Sequence, residues 1–453
     1  MQEFTALLEK YNTPVPRYTS YPTVPFWKDH IETAAWQQAF KERFQSCNSK
    51  EGISLYIHLP FCESLCTYCG CNKKITTNHS VEERYLRAII KEWSIYTRLV
   101  KEVPVIREIH LGGGTPTFFS PANLARLIDA LLLRAIVHPH YEFSLEGHPN
   151  NTTREHLETL YDHGFRRISY GVQDNNPDIQ QLINRIQPFE NVKKATEAAR
   201  QTGFLSVNFD LIYGLPRQDR KKLAHTIVSS LDLQPDRIAL YSYAHVPWVS
   251  RGQRLFDEQD LPSAAEKLSS CLLGREILHS NGYTDIGMDH FALPTDDLYT
   301  SWKKGTLHRN FMGYTTQKSG LLLGLGVSAI SDFGNAFTQN NKTMTGYYEA
   351  VEAGRAAVEK GYCANDEDKV FRKYILDITC KGRTRFVDDC MPEVKKYVVP
   401  VLEELEKDGL LYLDNKGLEL TETGRYFMRN ICKAFDLHLL RTSATNGIYS
   451  KSI

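Results

Sequence analysis

The chain has 453 residues, a length that suggests about two or three domains, or one barrel with additions. Its 54 Lys and Arg balance its 54 Asp and Glu, which argues against a general electrostatic attraction to nucleic acid. An apolar fraction of 42% and a charged fraction of 24% exclude a disordered or fibrous chain.

Membrane and export signals are not evident in the sequence. No stretch approaches the ~18 uncharged apolar residues that a membrane helix needs. The first residues, MQEFTALLEKYN, lack the basic region and apolar run of a secretory signal. We therefore expect a cytoplasmic protein with no membrane partner and no nucleic-acid partner.

The N-terminal region, residues 1–50, is predicted to be irregular, because residues 11–27 hold four prolines. One short helix is predicted at about 33–46. From residue 53 to about 245, strand-like runs alternate with helix-like runs. The strand-like runs are ISLYIHL, IREIHLGG, EFSLEGH, RISYGVQ, LSVNFDLIYG and RIALYSY. The helix-like runs are at about 80–101, 120–136, 152–163, 188–202, 217–232 and 263–280.

These repeated strand–helix units predict an α/β fold with a parallel sheet and helices outside it. Six such units give an open, partial barrel, short of the closed barrel of eight. From about residue 365 the chain is predicted to be mainly helical. Residues 397–435 read helix, strand, Asn-Lys-Gly turn, strand, helix, which is the order of a winged helix. The acids that balance its basic residues favour a packing domain over a DNA-binding regulator.

The most informative pattern is a group of four cysteines, Cys62, Cys66, Cys69 and Cys71, among ten in the chain. It follows the apolar run SLYIHLPF, at the strand end where parallel barrels build active sites. Three thiolates at this spacing can hold three corners of a cubane iron–sulfur cluster and leave one iron open to a substrate group. A structural zinc site is the alternative, but zinc sites usually take two C-x2-C pairs joined by a longer spacer.

C-x3-C-x2-C after the first strand of a βα barrel is the signature of the radical S-adenosylmethionine (SAM) superfamily, and Gly112–Pro116 ends the second strand as in that superfamily. The whole chain resembles the oxygen-independent coproporphyrinogen III oxidase family. The matching segments are PRYTSYPT at 16–23, YIHLPFC at 56–62, CTYCGC at 66–71, LGGGTPT at 111–117, GVQD at 171–174, NFDLIYGLP at 208–216, YSYAHVP at 241–247, GMDHFA at 287–292, LHRNFMGYTTQ at 307–317, LGLGVSAIS at 323–331 and RNIC at 429–432.

The resemblance implies an anaerobic reaction of haem biosynthesis. Two propionate side chains of coproporphyrinogen III become vinyl groups, giving protoporphyrinogen IX. A 5′-deoxyadenosyl radical, made from SAM at a [4Fe–4S] cluster, removes a hydrogen from each propionate. The family resembles enzymes that bind two SAM molecules. The expected partners are coproporphyrinogen III and an electron-donor protein such as flavodoxin or ferredoxin, and the chain is expected to be a monomer.

The resemblance also implies roles for individual residues. The cluster ligands are Cys62, Cys66 and Cys69, and Cys71 is a thiol near the cluster. The catalytic residues are Tyr56, His58 and Glu146. The first SAM is expected at Tyr56, Gly113, Glu146 and Ile330. The second is expected at Tyr68, Gly114, Thr115, Gln173, Arg185, Asp210 and Ala244.

The chemistry of these residues suits SAM. Carboxylates such as Glu146 and Asp210 can accept hydrogen bonds from ribose hydroxyls or an amino group, and Arg185 can pair with a methionyl carboxylate. Tyr68 can stack on an adenine. Each also has a structural interpretation: the carboxylates can cap helices, and Arg185 can be a surface arginine.

The substrate carries several carboxylates, so its site needs cations, and Arg17 and Arg309 are the candidates. His58 shares the strand face of Tyr56, where it contacts the cluster region or the substrate, or is a core histidine. One departure from the family pattern follows Glu146, where Gly147-His148 stands before the proline and the family more often has a small apolar residue and then Asp or Asn.

Three domains are predicted: an N-terminal segment over the substrate, 1–50; a radical SAM catalytic domain, 51–335; and a mainly helical domain, 336–453. The alternatives to the oxidase are a haem-binding chaperone of the same family and a related radical SAM enzyme that acts on haem. The first would bind haem without cleaving SAM. Cys71 and PRYTSYPT argue against it, because such relatives typically lack both.

Overall fold

The computed structural model describes residues 2–248, 250–442 and 449–451. None of the helices in these ranges combines the length and hydropathy needed to cross a bilayer. The N-terminal region contains two helices, α1 (Gln2–Tyr11) and α2 (Thr33–Cys47). Helix α2 confirms the helix predicted at about 33–46. The prediction that the residues before it are irregular is wrong for α1. The ring of Phe4 packs edge-on against Tyr426 with centroids 5.2 Å apart, so α1 is stabilised by a distant part of the chain.

The six predicted strands are all present and parallel to one another. A short pair, β2 and β3, follows the first of them and frames the cysteine loop. The strands of this region are β1 (Ile53–Leu59), β2 (Phe61–Cys62), β3 (Lys74–Ile75), β4 (Val105–Gly113), β5 (Ile136–Gly147), β6 (Phe165–Gln173), β7 (Ser206–Tyr213) and β8 (Arg237–Ser242).

Helices follow the strands, as the alternation predicts, and bury apolar residues against the sheet in one core, except for the short helix Pro177–Leu182, whose Ile179 belongs to a smaller cluster. They are α3 (Val81–Leu99), α4 (Pro121–Leu132), α5 (Arg154–Asp162), α6 (Pro177–Leu182), α7 (Phe189–Thr202), α8 (Arg220–Leu231) and α9 (Ala264–Ser280). Several begin at polar N-caps, such as Ser120, whose hydroxyl accepts the Asn123 N–H and so fixes where α4 starts.

The chain then adds strands to both edges of the sheet. The elements are β9 (Thr284–Gly287), β10 (His290–Ala292), α10 (Asp297–Lys303), β11 (His308–Asn310), β12 (Gly313–Thr315), β13 (Leu321–Leu325), β14 (Ile330–Asp332), β15 (Ala336–Asn340), α11 (Met344–Glu352) and β16 (Val358–Cys363). Strand β13 pairs with β1 in parallel, and the sheet runs in the order β16-β15-β14-β13-β1-β4-β5-β6-β7-β8-β10-β9. This is the open barrel that the sequence predicts.

The division into three domains stays a prediction. The sheet continues to Cys363, and its core includes Tyr347 and Val351, so both extend beyond the boundary placed at residue 335. In the N-terminal segment, α2 packs on the barrel core, whereas Leu8 and Tyr21 belong to the core of the C-terminal region.

The C-terminal region is mainly helical, as predicted, with a three-stranded sheet in the order β17-β19-β18. Its elements are α12 (Asp366–Lys381), β17 (Arg383–Arg385), α13 (Met391–Glu393), α14 (Val399–Lys407), β18 (Leu411–Asp414), β19 (Gly417–Leu420), α15 (Glu422–Tyr426), α16 (Met428–Lys433) and α17 (Leu437–Arg441). The order α14, β18, turn, β19, α15 is the winged-helix order that the sequence predicts.

Candidate active site

A cavity of about 470 Å³ lies at the carboxyl ends of the parallel strands, where the loops after β1, β4, β5, β6 and β8 meet. Twelve of the predicted site residues line it, which brings together segments up to 148 positions apart in the sequence. They are Cys62, Cys66, Tyr68, Cys69, Cys71, Gly113, Gly114, Thr115, Glu146, Gln173, Arg185 and Asp210.

Two of the cysteine sulfurs are contacted by donors from other loops. Thr115 Oγ1 donates to Cys62 Sγ at 3.4 Å, and Arg185 Nη1 donates to Cys66 Sγ at 3.5 Å. Such a donor favours the thiolate, which is the form that binds iron, and at Cys62 it partly offsets the burial that raises the pKa of that thiol to about 11.

Cys69 is poised in the same way. A hydrogen bond with Cys71 lowers the pKa of the Cys69 thiol, and although burial opposes the shift, the Lys73 charge adds to it. The three predicted ligands therefore fit a cluster bound at this cavity. Within the described residues, no three His, Cys, Asp or Glu side chains converge as ligands of a single metal ion.

The loop that carries the cysteines is held by side chains from elsewhere in the barrel. Gln253 Nε2 donates to the carbonyls of Tyr68 at 3.0 Å and Ala244 at 3.1 Å. Asn184 Nδ2 donates to the Leu65 carbonyl at 2.7 Å. Ala244 does not line the cavity, but this shared donor places its backbone beside the cysteine loop.

The glycines after β4 allow a close approach between two loops. Gly113 has a φ of +111°, and a Cβ on it would lie 2.5 Å from His58 Nδ1. A Cβ on Gly114 would lie 2.6 Å from the Pro60 carbonyl. Only glycine fits at these two positions, because a side chain would collide with the strand that leads into the cysteine loop.

His58 and Tyr56 lie behind this glycine turn and do not line the cavity. The Tyr56 hydroxyl lies 3.0 Å from His58 Nδ1, and His58 Nε2 lies 2.9 Å from the carbonyl of Asn72, the residue after Cys71. Burial lowers the pKa of His58, so the ring is neutral. In this position His58 connects β1 to the far end of the cysteine loop.

Glu146 is held at the cavity wall by two partners. Its Oε2 accepts the Gly113 N–H at 3.1 Å, and its Oε1 lies 3.5 Å from His110 Nε2. Burial would raise the pKa of Glu146, but the His110 contacts and the Gly113 N–H together hold it below its ordinary value. Glu146 is therefore an ionised acceptor beside the glycine turn.

Asp210 faces the same cavity from β7. Ser169 Oγ donates to Asp210 Oδ2 at 3.1 Å. Burial, and then the charge of Glu146, raise the pKa of Asp210 to about 7. The two carboxylates therefore differ in protonation at neutral pH, which is typical of groups with separate tasks.

Gln173 and Arg185 line the same cavity as Glu146. Arg185 Nη2 donates to the Gly171 carbonyl at 2.6 Å. Gln173 has a φ of +67°, a rare backbone conformation for a non-glycine residue, and it lies against Gly171. His148, the departure from the family pattern, also lines the cavity, and burial followed by the charge of Arg185 lowers its pKa well below the ordinary value.

Besides Tyr56, His58 and Ala244, three more predicted residues lie away from the cavity lining. Ile330 packs with Trp27 and Phe337, and its carbonyl abuts Gly324, which pairs with Tyr56 across β13 and β1. Arg309 is buried and donates to the carbonyls of Tyr18 at 2.5 Å and Arg17 at 3.1 Å. Arg17 is exposed, with its guanidinium 5.9 Å from the ring of Tyr241.

Sequence reasoning missed His110, Ser169 and Tyr241. Tyr241 lines this cavity and also an adjoining cavity of about 120 Å³ inside the barrel. The available signal was the position of His110 and Ser169 as polar residues inside apolar strand runs. Such residues point into the barrel, where a packed core would otherwise require apolar side chains.

Comparison with known proteins agrees with this site. The Radical SAM superfamily model matches residues 56–228. An oxygen-independent coproporphyrinogen III oxidase from Pseudomonas aeruginosa is 38% identical over 441 residues, which cover 96% of this chain and 95% of that protein. The chain belongs to the oxygen-independent coproporphyrinogen III oxidase family. The member from Escherichia coli is also 38% identical, over 449 residues that cover 96% of this chain and 95% of that protein.

The solved structure of coproporphyrinogen III oxidase from Escherichia coli, described as a radical SAM enzyme, matches with a TM-score of 0.89. It is 36% identical in sequence, and the match covers 96% of this chain and 98% of that one. The predicted family, fold class and enzyme class are therefore confirmed. The chain is a radical SAM oxidoreductase, whose cofactors are a [4Fe–4S] cluster and SAM. The role of each site residue stays a prediction.

Proposed function

We propose that this chain decarboxylates two propionate side chains of coproporphyrinogen III to vinyl groups without oxygen, giving protoporphyrinogen IX. One observation carries the proposal. The three predicted cluster ligands and the Gly113–Glu146 pair face one cavity, in a chain similar to such oxidases over 96% of its length.

The cofactors supply the difficult step: when bound, the cluster and SAM provide a primary carbon radical that can take hydrogen from a propionate C–H bond. The chain supplies the cysteine ligands, Cys62, Cys66 and Cys69, while Cys71 supports Cys69 by its hydrogen bond. Each propionate loses one hydrogen atom, CO2 and one electron, so an electron acceptor completes the reaction.

The polar residues of the cavity are proposed to orient SAM. The ionised Glu146 accepts hydrogen bonds from the amino group of the first SAM, next to the Gly113 backbone. A second SAM binds in the part of the cavity lined by Arg185, Gln173 and Asp210. The ring of Tyr68 also lines the cavity and is available for stacking. The remaining predicted residues lie outside the cavity lining and act indirectly, by holding the backbone and side chains that face SAM. They are Tyr56, His58, Ile330 and Ala244.

Electrons are proposed to come from a small carrier protein such as flavodoxin or ferredoxin, which docks near the cysteine loop. We further propose that the chain acts as a monomer in the cytoplasm. The cavity is built from one chain, and all ten cysteines are free thiols, which suits a reducing compartment.

The test is anaerobic incubation of cluster-loaded protein with coproporphyrinogen III, SAM and a strong reductant. The expected result is loss of two carboxyl groups from the tetrapyrrole, with 5′-deoxyadenosine formed in step, and neither product with a Cys69→Ala variant. Deoxyadenosine without tetrapyrrole conversion would instead mean another substrate. Haem binding by cluster-loaded protein with no SAM cleavage would favour the chaperone.

A further inference from the structure

Two cationic side chains, Arg17 and Lys267, contact the backbone at the carboxyl end of β8. Arg17 Nη2 donates to the Ser242 carbonyl at 3.4 Å, and Lys267 Nζ donates to the carbonyl of the next residue, Tyr243, at 2.8 Å. Among the described residues, neither side chain forms a salt bridge with a carboxylate, whereas most of the buried arginines of the barrel do. Within the described residues, the hydrogen bonds of both side chains go to backbone carbonyls.

Further positive charge surrounds this pair. Burial, and then the charges of Arg17, Arg429 and Lys451, together lower the pKa of Lys267 to about 8. Burial and the charge of Arg17 likewise lower the pKa of Arg429, which Asp289 only partly offsets. A crowd of like charges is unfavourable in isolation and is stabilised when an anion binds.

The backbone that carries Arg17 is fixed on both sides. Arg429 donates to the carbonyls of Val15 and Pro16, and Arg309 donates to those of Arg17 and Tyr18. Four consecutive carbonyls are thus held by two buried guanidinium groups. Arg17 is presented from a preorganised backbone, which reduces the entropy lost when its side chain binds a ligand.

Arg17 of this pair also lies near the reaction cavity. The Arg17 guanidinium lies 5.9 Å from the ring of Tyr241, and Tyr241 lines the cavity that holds the cysteines. An anion bound between Arg17 and Lys267 would therefore sit beside the site where the reaction takes place.

We propose that Arg17 and Lys267 form a carboxylate-binding subsite, which holds a propionate of the tetrapyrrole substrate at the β8 end of the cavity. This proposal rests on the proposed function, because it names the substrate group that the subsite takes. A guanidinium and an ammonium together give a carboxylate charge-assisted hydrogen bonds to both of its oxygens. Arg309 is a positioning residue in this arrangement, since its Nη1 and Nη2 donate to the backbone carbonyls of Tyr18 and Arg17.

The test compares Lys267→Gln and Arg17→Gln with a matched control, Lys222→Gln. Lys222 is a half-buried lysine on α8 whose Nζ also donates to a backbone carbonyl, that of Arg217, at 2.9 Å. Glutamine keeps a donor for the carbonyl and removes the charge. Binding of the fluorescent tetracarboxylate coproporphyrin III is measured for each variant without SAM, and turnover with coproporphyrinogen III is measured separately.

We expect coproporphyrin III to bind about tenfold to a hundredfold more weakly to Lys267→Gln and Arg17→Gln, as loss of a charged hydrogen bond predicts. Binding to Lys222→Gln should equal the parent, and Lys267→Arg should restore binding. Iron content and KM for SAM should not change. Parent-like binding by both Lys267→Gln and Arg17→Gln would overturn the subsite.

The binding assay also separates this proposal from the proposed function. If the parent binds coproporphyrin III and the two variants bind it weakly, the subsite stands even where no protoporphyrinogen forms. If the parent turns over coproporphyrinogen III but the variants match it in binding and KM, the function stands and the subsite fails. Should Lys267→Gln fold poorly, the exposed Arg17→Gln decides the result alone.

Discussion

The Nε2 atom of His110 lies 3.5 Å from Oε1 of Glu146, and its Nδ1 lies 2.8 Å from the hydroxyl of Ser144. The ring also stacks on Tyr56, with centroids 6.1 Å apart and an interplanar angle of 17°. Three contacts thus fix the imidazole of His110. The imidazole in turn fixes the Glu146 carboxylate, which accepts a hydrogen bond from the Gly113 N–H. His110 is a positioning residue for Glu146.

Replacing His110 with Phe should keep the ring stack and remove both polar contacts. We expect KM for SAM to rise about tenfold, because Glu146 loses a charge-assisted partner worth about 1.4 kcal/mol. The iron content should match the parent, since His110 does not contact the cysteine loop. Steady-state deoxyadenosine formation and iron analysis check this, and an unchanged KM for SAM would contradict the positioning role.

The raised pKa of Asp210, about 7, predicts that SAM binding depends on pH. Below pH 7 Asp210 is protonated and neutral, and above it the carboxylate is ionised and attracts the sulfonium cation. Affinity for SAM should therefore rise between pH 6 and 8 and level off above. The lowered pKa values of Glu146 and His148 keep those two groups in one protonation state throughout this range.

Equilibrium dialysis of SAM with cluster-loaded protein measures this profile. An Asp210→Asn variant is the control, since it carries no charge at any pH. It should bind SAM at pH 8 about as weakly as the parent does at pH 6, with a flatter profile. A parent whose affinity does not change across this range would show that Asp210 does not contact SAM.

Local sequence patterns predicted the parts of this molecule that depend on local physics. The six barrel strands and their helices follow from the alternation of apolar runs and turn residues, and the cysteine loop follows from its spacing. Helix α1 was not predicted because it is stabilised by Tyr426 and Phe427, more than 400 residues away. His110 and Lys267 were not predicted for a related reason, because their roles depend on contacts that form only in the folded chain.

Gly113 is predicted to be essential because its turn leaves no room for a side chain. Gly113→Ala should lose iron and lower the melting temperature, because the new Cβ would lie 2.5 Å from His58 Nδ1 at a φ of +111°. The backbone conformation alone costs on the order of 1 kcal/mol, and the collision adds to it. Since His58 also holds the Asn72 carbonyl, the displacement should reach the cysteine loop.

Gly305→Ala is the matched control for this effect. Gly305 also has a positive φ, +68°, but nothing lies within 4 Å of the position its Cβ would take. It should therefore show a smaller loss of melting temperature and no loss of iron after reconstitution. Equal iron contents in the two variants would mean that the Gly113–His58 contact does not support the cluster.

The final prediction separates a cluster ligand from its neighbour. Both Cys69 and Cys71 line the cavity, but the pKa of Cys69 is lowered, whereas Cys71 is exposed and acts on Cys69 through a hydrogen bond. Cys69→Ser should therefore lose most of its iron from a parent value of about four per chain, the content of a [4Fe–4S] cluster. Cys71→Ser should keep the cluster, because serine still donates a hydrogen bond to the Cys69 sulfur.

Iron and sulfide analysis after anaerobic reconstitution distinguishes the two variants, and Cys71→Ala tests the hydrogen bond itself. Without that donor the Cys69 thiolate is less stable, so Cys71→Ala should take up iron more slowly than Cys71→Ser at the same pH. If Cys71→Ser loses as much iron as Cys69→Ser, Cys71 is a ligand, and no iron is left for SAM to bind.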